Sequence, residues 1–318
     1  MLVEVLLLKG ASPSSAAITL EVLQTANRLR RAAGRPAPFE IYLTGSGARA
    51  ASGFLGHPLR SCSTNRAGLV IVPGLAFTDE ATVMQGLARR DVQAARTRLI
   101  EAGRGGAEIA SSCSAVFLVA ATGLLDGRRA TTSWWLAPLF RRLFPAVALS
   151  SDDLVVTDAP FTTAGAAMAQ LDLMLSLVTR HAGTRLAEQC ARYMLLEQRT
   201  SQARFMAISF LAASDDRIRR AENWARRRLG ESFSISDVAA AAGLAPRTFA
   251  RRLERVTGLS PVRFVQRLRM ERALELLETS RHSFEEIAWQ VGYAEPSTLR
   301  RLLRRDADTG ARKVRAAA

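Results

Sequence analysis

The sequence is short of lysine, cysteine, histidine and long apolar runs, and each shortage narrows the field. Lysine occurs only at Lys9 and Lys313, so the 44 basic residues are almost all arginine. Three cysteines, Cys62, Cys113 and Cys190, make no disulfide framework and fit a reduced, intracellular, cytoplasmic protein. Three histidines, His57, His181 and His282, leave little for histidine-based chemistry, and no metal or cofactor is expected. No apolar run approaches the length of a membrane span. The opening MLVEVLLLKG carries Glu4 and Lys9 and lacks both a basic leader and a small-residue cleavage site, so it reads as a strand rather than a signal peptide.

What is present is length, apolar content and positive charge. At 318 residues the natural expectation is two domains, and 48% hydrophobic content gives each a core. The formal charge of +15 points to a polyanionic partner, nucleic acid first, against the plainer alternative of an arginine-rich solvated surface. The excess is uneven. Residues 218–318 carry a net +9 and the first 217 a net +6. A local DNA-binding face fits that better than a uniformly basic protein.

The first half alternates short apolar runs with amphipathic stretches. Val3–Leu8, Phe39–Leu43, Leu69–Pro73 and Glu108–Ser111 read as strands, and Ser14–Ala33 and Glu80–Ala102 as helices. That order predicts a parallel sheet covered on both faces, a three-layer α/β sandwich. A turn is expected at Leu125-Asp126-Gly127. The predicted divisions are a first domain over 1–183, a helical connector over 184–217 that could instead pack on that domain, and an all-α domain over 218–318. The Asp215-Asp216 pair marks the second boundary.

A weak repeat lies in the last third. ISDVAAAAGLAPRTFARRL (Ile235–Leu253) and FEEIAWQVGYAEPSTLRRLL (Phe284–Leu303) align Ala239 with Ala288 and Gly243 with Gly292. After one inserted residue, Pro246 aligns with Pro296 and Arg251 with Arg301. Each copy has the grammar of a helix-turn-helix. Ser234 with Asp237, and Ser283 with Glu286, signal helix starts, the second pair as a proper capping box. A glycine follows where the chain must turn, and a proline opens the second helix. Phe249 with Leu253, and Leu299 with Leu303, face the core, which puts Arg251 and Arg301 on the far side.

The second helix of such a unit enters the major groove, where arginine reads guanine with two hydrogen bonds. Arg247, Arg251, Arg300 and Arg301 are the base-contact candidates. Arg252, Arg255, Arg304 and Arg305 are assigned to phosphates, which position without specifying. Thr248, Ala250, Pro296, Ser297 and Thr298 complete the two candidate surfaces. Between them, Pro261–Glu278 reads as a long helix with Phe264, Leu268, Ala273, Leu274 and Leu277 on its apolar side. It would hold the units one DNA turn apart, roughly 34 Å.

TGLSPVRFVQRLRMERALELLE (Thr257–Glu278) and EEIAWQVGY (Glu285–Tyr293) resemble the DNA-binding domain of AraC/XylS-type regulators. The resemblance covers 218–305 and implies two recognition helices in successive major-groove segments. The chain departs from that pattern after the second unit. Asp308 stands for a glycine, Ala311 for a proline, and Val314 precedes Arg315. LVIVPG (Leu69–Gly74), SSCSAVFLVAATGLLDGRRATTSWW (Ser111–Trp135) and TTAG (Thr162–Gly165) resemble the PfpI/ThiJ-like, class I glutamine amidotransferase-like domain. That resemblance implies a flavodoxin-like sheet and places Cys113 at a nucleophile elbow.

The matching base is not there. Where that family carries histidine, this chain has Ser133. Where relatives carry an acid, it reads Ser12-Pro13-Ser14-Ser15. The glycine expected two residues after the cysteine is Ala115. Three readings of Cys113 stay open: a structural elbow lining a ligand pocket, a redox-sensing thiol, and a working amidohydrolase, with an enzyme the least favoured. Cys62 and Cys190 read as small buried hydrophobes. Open α/β sheets bind ligands beyond the C-terminal strand ends. The candidate lining is Ser12, Ser14, Cys113, Ser114, Ser133, Trp134 and Thr163. Trp134-Trp135 would suit a cationic amine, although core packing accounts equally well for at least one of the pair. The sequence therefore leads to a DNA-binding transcription regulator, a homodimer on double-stranded promoter DNA that answers to a small amine or amino-acid-like effector. Contact with RNA polymerase and residence on the nucleoid are expected with it.

Overall fold

Leu69–Val72 is apolar at every position and buried at every position. A strand alternates its side chains, so this is only stable with cover on both faces. The computed structural model, which describes residues 1–45, 59–60, 67–197, 199, 201–202 and 205–308, shows that cover. Leu69 and Ile71 join one apolar core, and Val70 and Val72 join another.

The chain forms two units, 1–202 and 203–318. The strands of the first are β1 (Leu2–Leu7), β2 (Glu40–Gly45), β3 (Leu59–Arg60), β4 (Leu69–Val72), β5 (Glu108–Ser112), β6 (Arg129–Ala130), β7 (Ala148–Leu149), β8 (Val155–Asp158) and β9 (Phe161–Ala164). Its helices are α1 (Pro13–Ala32), α2 (Glu80–Ala88), α3 (Arg90–Arg104), α4 (Val116–Ala121), α5 (Ala137–Leu143), α6 (Ala169–Ala182) and α7 (Thr184–Tyr193). The main sheet runs β3-β2-β1-β4-β5-β9-β8, parallel except for β8 on β9; β6 and β7 pair separately. Helices α1, α6 and α7 contribute to one core and α2 to α5 to the other. This is the flavodoxin-like three-layer sandwich that the alternating pattern predicts. Strand order reverses between β1 and β4, and in open α/β sheets ligands bind past the C-terminal strand ends at such a point.

Two expectations are corrected. The single helix expected over Glu80–Ala102 is two, because Arg89 is extended (φ −63°, ψ 143°). The Arg89 guanidinium donates to Asp91 at 2.6 Å and to the Lys9 carbonyl at 2.5 Å, which fixes the break. The helical stretch 184–217 is divided rather than a connector of its own. Leu186, Ala187, Cys190 and Ala191 of α7 are buried in the first unit's core, while Ile208 and Ala212 are buried in the second's.

The second unit is helical: α8 (Ile208–Ala212), α9 (Asp216–Arg226), α10 (Ile235–Ala241), α11 (Pro246–Thr257), α12 (Pro261–Thr279), α13 (Phe284–Gln290) and α14 (Pro296–Asp308). It has two small cores. Phe249 and Leu253 of α11 belong to one, and Leu299 and Leu303 of α14 to the other. The long helix α12 serves both. Its first half gives Phe264, Val265 and Leu268 to the first core, and its second half gives Met270, Ala273 and Leu276 to the second. Leu277, expected on the apolar side, is 36% exposed, and the core position is Leu276.

Candidate functional sites: two helix-turn-helix units and a cysteine elbow

Both helix-turn-helix units are built as the repeat suggests. Ser234 and Ser283 each accept from the N–H three residues on, and Asp237 and Glu286 each accept the serine N–H in return. Both are therefore full capping boxes. Those backbone hydrogen bonds hold the Asp237 and Glu286 carboxyls below their usual pKa. Gly243 (φ 65°) and Gly292 (φ 84°) make the turns, and Pro246 and Pro296 open α11 and α14.

The arginines of the recognition helices fall into two sets. Arg247, Arg251 and Arg255 are exposed at four-residue intervals, one stripe along α11, with Thr248 exposed and Ala250 half-buried beside them. Arg252, expected on phosphate, instead donates to the buried Asp215 carboxylate at 2.7 Å. That carboxylate also caps α9 by accepting the Arg217 and Ile218 N–H groups. Burial pushes the Asp215 pKa up, but the Arg252 bond and the cap outweigh it, and the net shift is down. On α14, Arg301, Arg304 and Ser297 are exposed, while Pro296 and Thr298 are half-buried. Arg300, named as a base reader, lies over the Phe284 ring at 4.8 Å and 3.9 Å from Glu285, so it braces α14 against α13. The Arg305 side chain and residues 309–318, with Ala311, Val314 and Arg315, lie outside the described residues.

In the first unit, the loop after β1 and the loop after β4 are tied together. The Ser12 N–H donates to the Gly74 carbonyl (2.7 Å) and the Ala76 N–H to that of Gly10 (2.9 Å). Between them stands Cys113 at the end of β5, with φ 54°, a left-handed backbone that a non-glycine residue adopts only under surrounding constraint. The constraints are visible. The Cys113 N–H donates to the Gly165 carbonyl (2.8 Å), the Thr132 hydroxyl donates to the Cys113 carbonyl (2.8 Å), and the Ser114 hydroxyl donates to the Leu75 carbonyl. Cys113 Sγ lies 2.9 Å from Ser133 Oγ, both buried.

Of the expected lining, Cys113 and Ser133 meet directly, and Ser12 and Ser14 bond to each other (2.9 Å) at the start of α1. Ser114 and Thr163 are buried braces. The Thr163 hydroxyl oxygen accepts from the Thr131 N–H at 2.8 Å. Trp134 is half-buried and stacks edge-on against Trp135 (5.4 Å), which packs on the core. Sequence reasoning passed over Ser15. Its buried Oγ has no hydrogen-bond partner among the described residues and lies 3.2 Å from where a Cβ on Gly74 would sit, a point 3.1 Å from Cys113 Cβ. Its place one turn into a capped helix was the available signal. No described histidine reaches the elbow. His181 bonds Glu108 (3.2 Å) at the opposite end of β5, about 16 Å along a five-residue strand. His282 lies 3.8 Å from Glu286 in the second unit. His57 and Cys62 fall outside the described residues. Cys190 is fully buried, and burial pushes its thiol up to about 11. No described helix is long and apolar enough to cross a membrane.

The comparisons agree with this geometry. A family model described as a helix-turn-helix domain matches residues 238–317. That match lies within the second unit. It is similar to the HTH-type transcriptional regulator GlxA of Rhizobium meliloti, 26% identical over 65% of this chain and 64% of that one. GbdR of Pseudomonas aeruginosa, also an HTH-type transcriptional regulator, is 24% identical over 71% of this chain and 64% of its own. The chain thus covers less than two thirds of the length of each. Among solved structures, a transcriptional regulator protein from Vibrio parahaemolyticus aligns over 61% of this chain and 98% of its own, at 21% identity and a TM-score of 0.50. A ThiJ/PfpI family protein from Pseudomonas syringae aligns over 61% and 74%, at 19% identity and a TM-score of 0.47.

Proposed function

We propose that this chain is a sequence-specific transcription regulator whose second unit binds promoter DNA and whose first unit senses a small molecule. The observation that carries the DNA half is the pair of capped helix-turn-helix units, each turning exposed arginines outward from its second helix. The sensor half rests on the Cys113 elbow, which lies beyond the C-terminal strand ends where sheets of this order take ligands. Its polar lining consists of hydroxyls, with Ser133 where a base would stand, so Cys113 is a structural and ligand-facing residue rather than a nucleophile in turnover. The half-buried Trp134, next in the chain to Ser133, supports an amine or amino-acid-like effector, through attraction of a cation to an aromatic face. A ligand that binds one arrangement of the first unit better than another would shift the population competent for DNA. The working form is a homodimer in the cytoplasm that meets RNA polymerase at the promoter.

Selection of binding sequences from random duplex DNA with the full chain tests the first half. Recovery of one motif with two similar half-sites supports it, and recovery of nothing above random sequence overturns it. Thermal melting with a panel of amines and amino acids tests the second. A ligand that binds the native state alone adds about 2.7 kcal/mol at a hundredfold excess over its dissociation constant.

A further inference from the structure

The stretch that leaves the first unit is fastened more firmly than a plain connector requires. The Arg199 guanidinium donates to the Met168 carbonyl (2.7 Å) and the Asp172 carboxylate (2.6 Å), and its backbone N–H reaches the same carboxylate at 3.2 Å. The Ser201 hydroxyl and the Gln202 N–H both donate to the Asp152 carbonyl, at 2.8 and 3.0 Å. The Gln202 side chain is 1% exposed. Its Nε2 donates to the carbonyls of Thr132 (2.9 Å) and Ser151 (3.0 Å), and its Oε1 accepts the Ala166 N–H (3.0 Å). It fills the space over Gly165 so closely that a Cβ there would lie 2.3 Å from Oε1.

Two of the three segments that Gln202 grips also hold Cys113. Thr132 bonds the Cys113 carbonyl, Ser133 meets its thiol, and Gly165 accepts its N–H. Gln202 is also the last residue of the first unit. We infer that Gln202 is a latch that passes the state of the Cys113 elbow to the chain entering the second unit. A shift of 131–133 or 164–166 on occupation of the elbow by a ligand removes the partners of a buried amide. A buried amide without partners is costly, so it leaves. The tether then lengthens by roughly 10 Å for the three residues beyond Arg199. The first step, occupation by a ligand, and the last, an effect on DNA, rest on the proposed function.

The test uses the full chain in a Cys62→Ser background. Iodoacetamide labelling of Cys113 and trypsin cleavage after Arg199 are read by mass spectrometry, with buried Cys190 as the internal reference. Gln202→Ala is expected to raise both rates roughly tenfold, a normal coupling between sites, with Cys190 labelling unchanged. Gly165→Ala should do the same by driving a methyl into the amide. Conversely, protein with Cys113 already carboxamidomethylated should be cut after Arg199 faster than unlabelled protein. This last arm decides the matter if the variants fail to fold. Equal cleavage of labelled and unlabelled protein, or equal Cys113 labelling with and without Gln202, overturns the latch. Mobility shifts on duplex DNA then separate the two ideas. Equal affinity in latched and released forms overturns the transmission. Loss of all DNA binding in every form, the parent included, overturns the regulator reading instead.

Discussion

Cys113 Sγ and Ser133 Oγ stand 2.9 Å apart, a thiol beside a hydroxyl where a hydrolase would need a base. A hydroxyl is a poor base, so on the proposed reading the pair is a hydrogen bond rather than a catalytic dyad. Intact protein and Cys113→Ala should therefore give the same background rate on activated esters and small amides. A turnover that needs Cys113 would sink this account.

The arginines predict different phenotypes. Arg251→Ala and Arg301→Ala should relax sequence preference at about 1–3 kcal/mol each. Arg300→Ala should change preference less, because its guanidinium lies over the Phe284 ring and near Glu285. Arg252→Ala should lower stability by about 1–3 kcal/mol by stranding the Asp215 carboxylate. Titrating each variant on specific and random duplexes, beside thermal melts, separates the three. A loss of specificity in Arg300→Ala would return it to the base readers.

The two turn glycines should differ sharply on replacement by alanine. A Cβ at Gly243 meets nothing within 4 Å, so Gly243→Ala carries only the left-handed backbone cost of about 1–2 kcal/mol. At Gly292 the same Cβ would lie 2.1 Å from the Leu229 carbonyl oxygen, which is main chain and cannot swing aside. Gly292→Ala should cost at least about 3 kcal/mol. Equal melting temperatures for the two variants would contradict this packing.

Acid should loosen the second unit through its caps. Asp215, Asp237 and Glu286 all have lowered pKa values in the folded chain. A depressed carboxyl contributes stability that is complete above its unfolded pKa, near 4, and lost as pH falls toward the folded value. Hydrogen exchange over 205–308 should therefore quicken as pH drops below about 4, after correction for the intrinsic rate. Asp237→Asn and Glu286→Gln should flatten that dependence, and an unchanged profile would show that the caps do not control it.

Much of this was legible beforehand, for identifiable reasons. Strand β4 is apolar and buried at every position, and the helix-turn-helix units carry caps, glycine and proline at fixed spacing. Arg89 shows where local reading stops. Asp91 two residues on is only a weak local mark, and the break is also secured by the carbonyl of Lys9, eighty residues back. Arg252 and Arg300 looked like any other arginine on a basic helix until Asp215 and Phe284 were placed beside them. Gln202 carries no motif at all. Its meaning comes from Gly165, Thr132 and Ser151, which only the folded chain assembles.

Helix α12 remains. It has 19 residues, a rod of roughly 28 Å, and each half is cemented into a different core. Such a spacer has a fixed length and a fixed rotation, so it sets phase as well as distance. Inserting half a helical turn of base pairs between the two half-sites would turn the second one away from its reader. A whole turn would restore the facing but exceed the rod's reach. On the proposed reading the protein is a caliper with one setting, and a change of operator spacing has to be matched by a change in this helix.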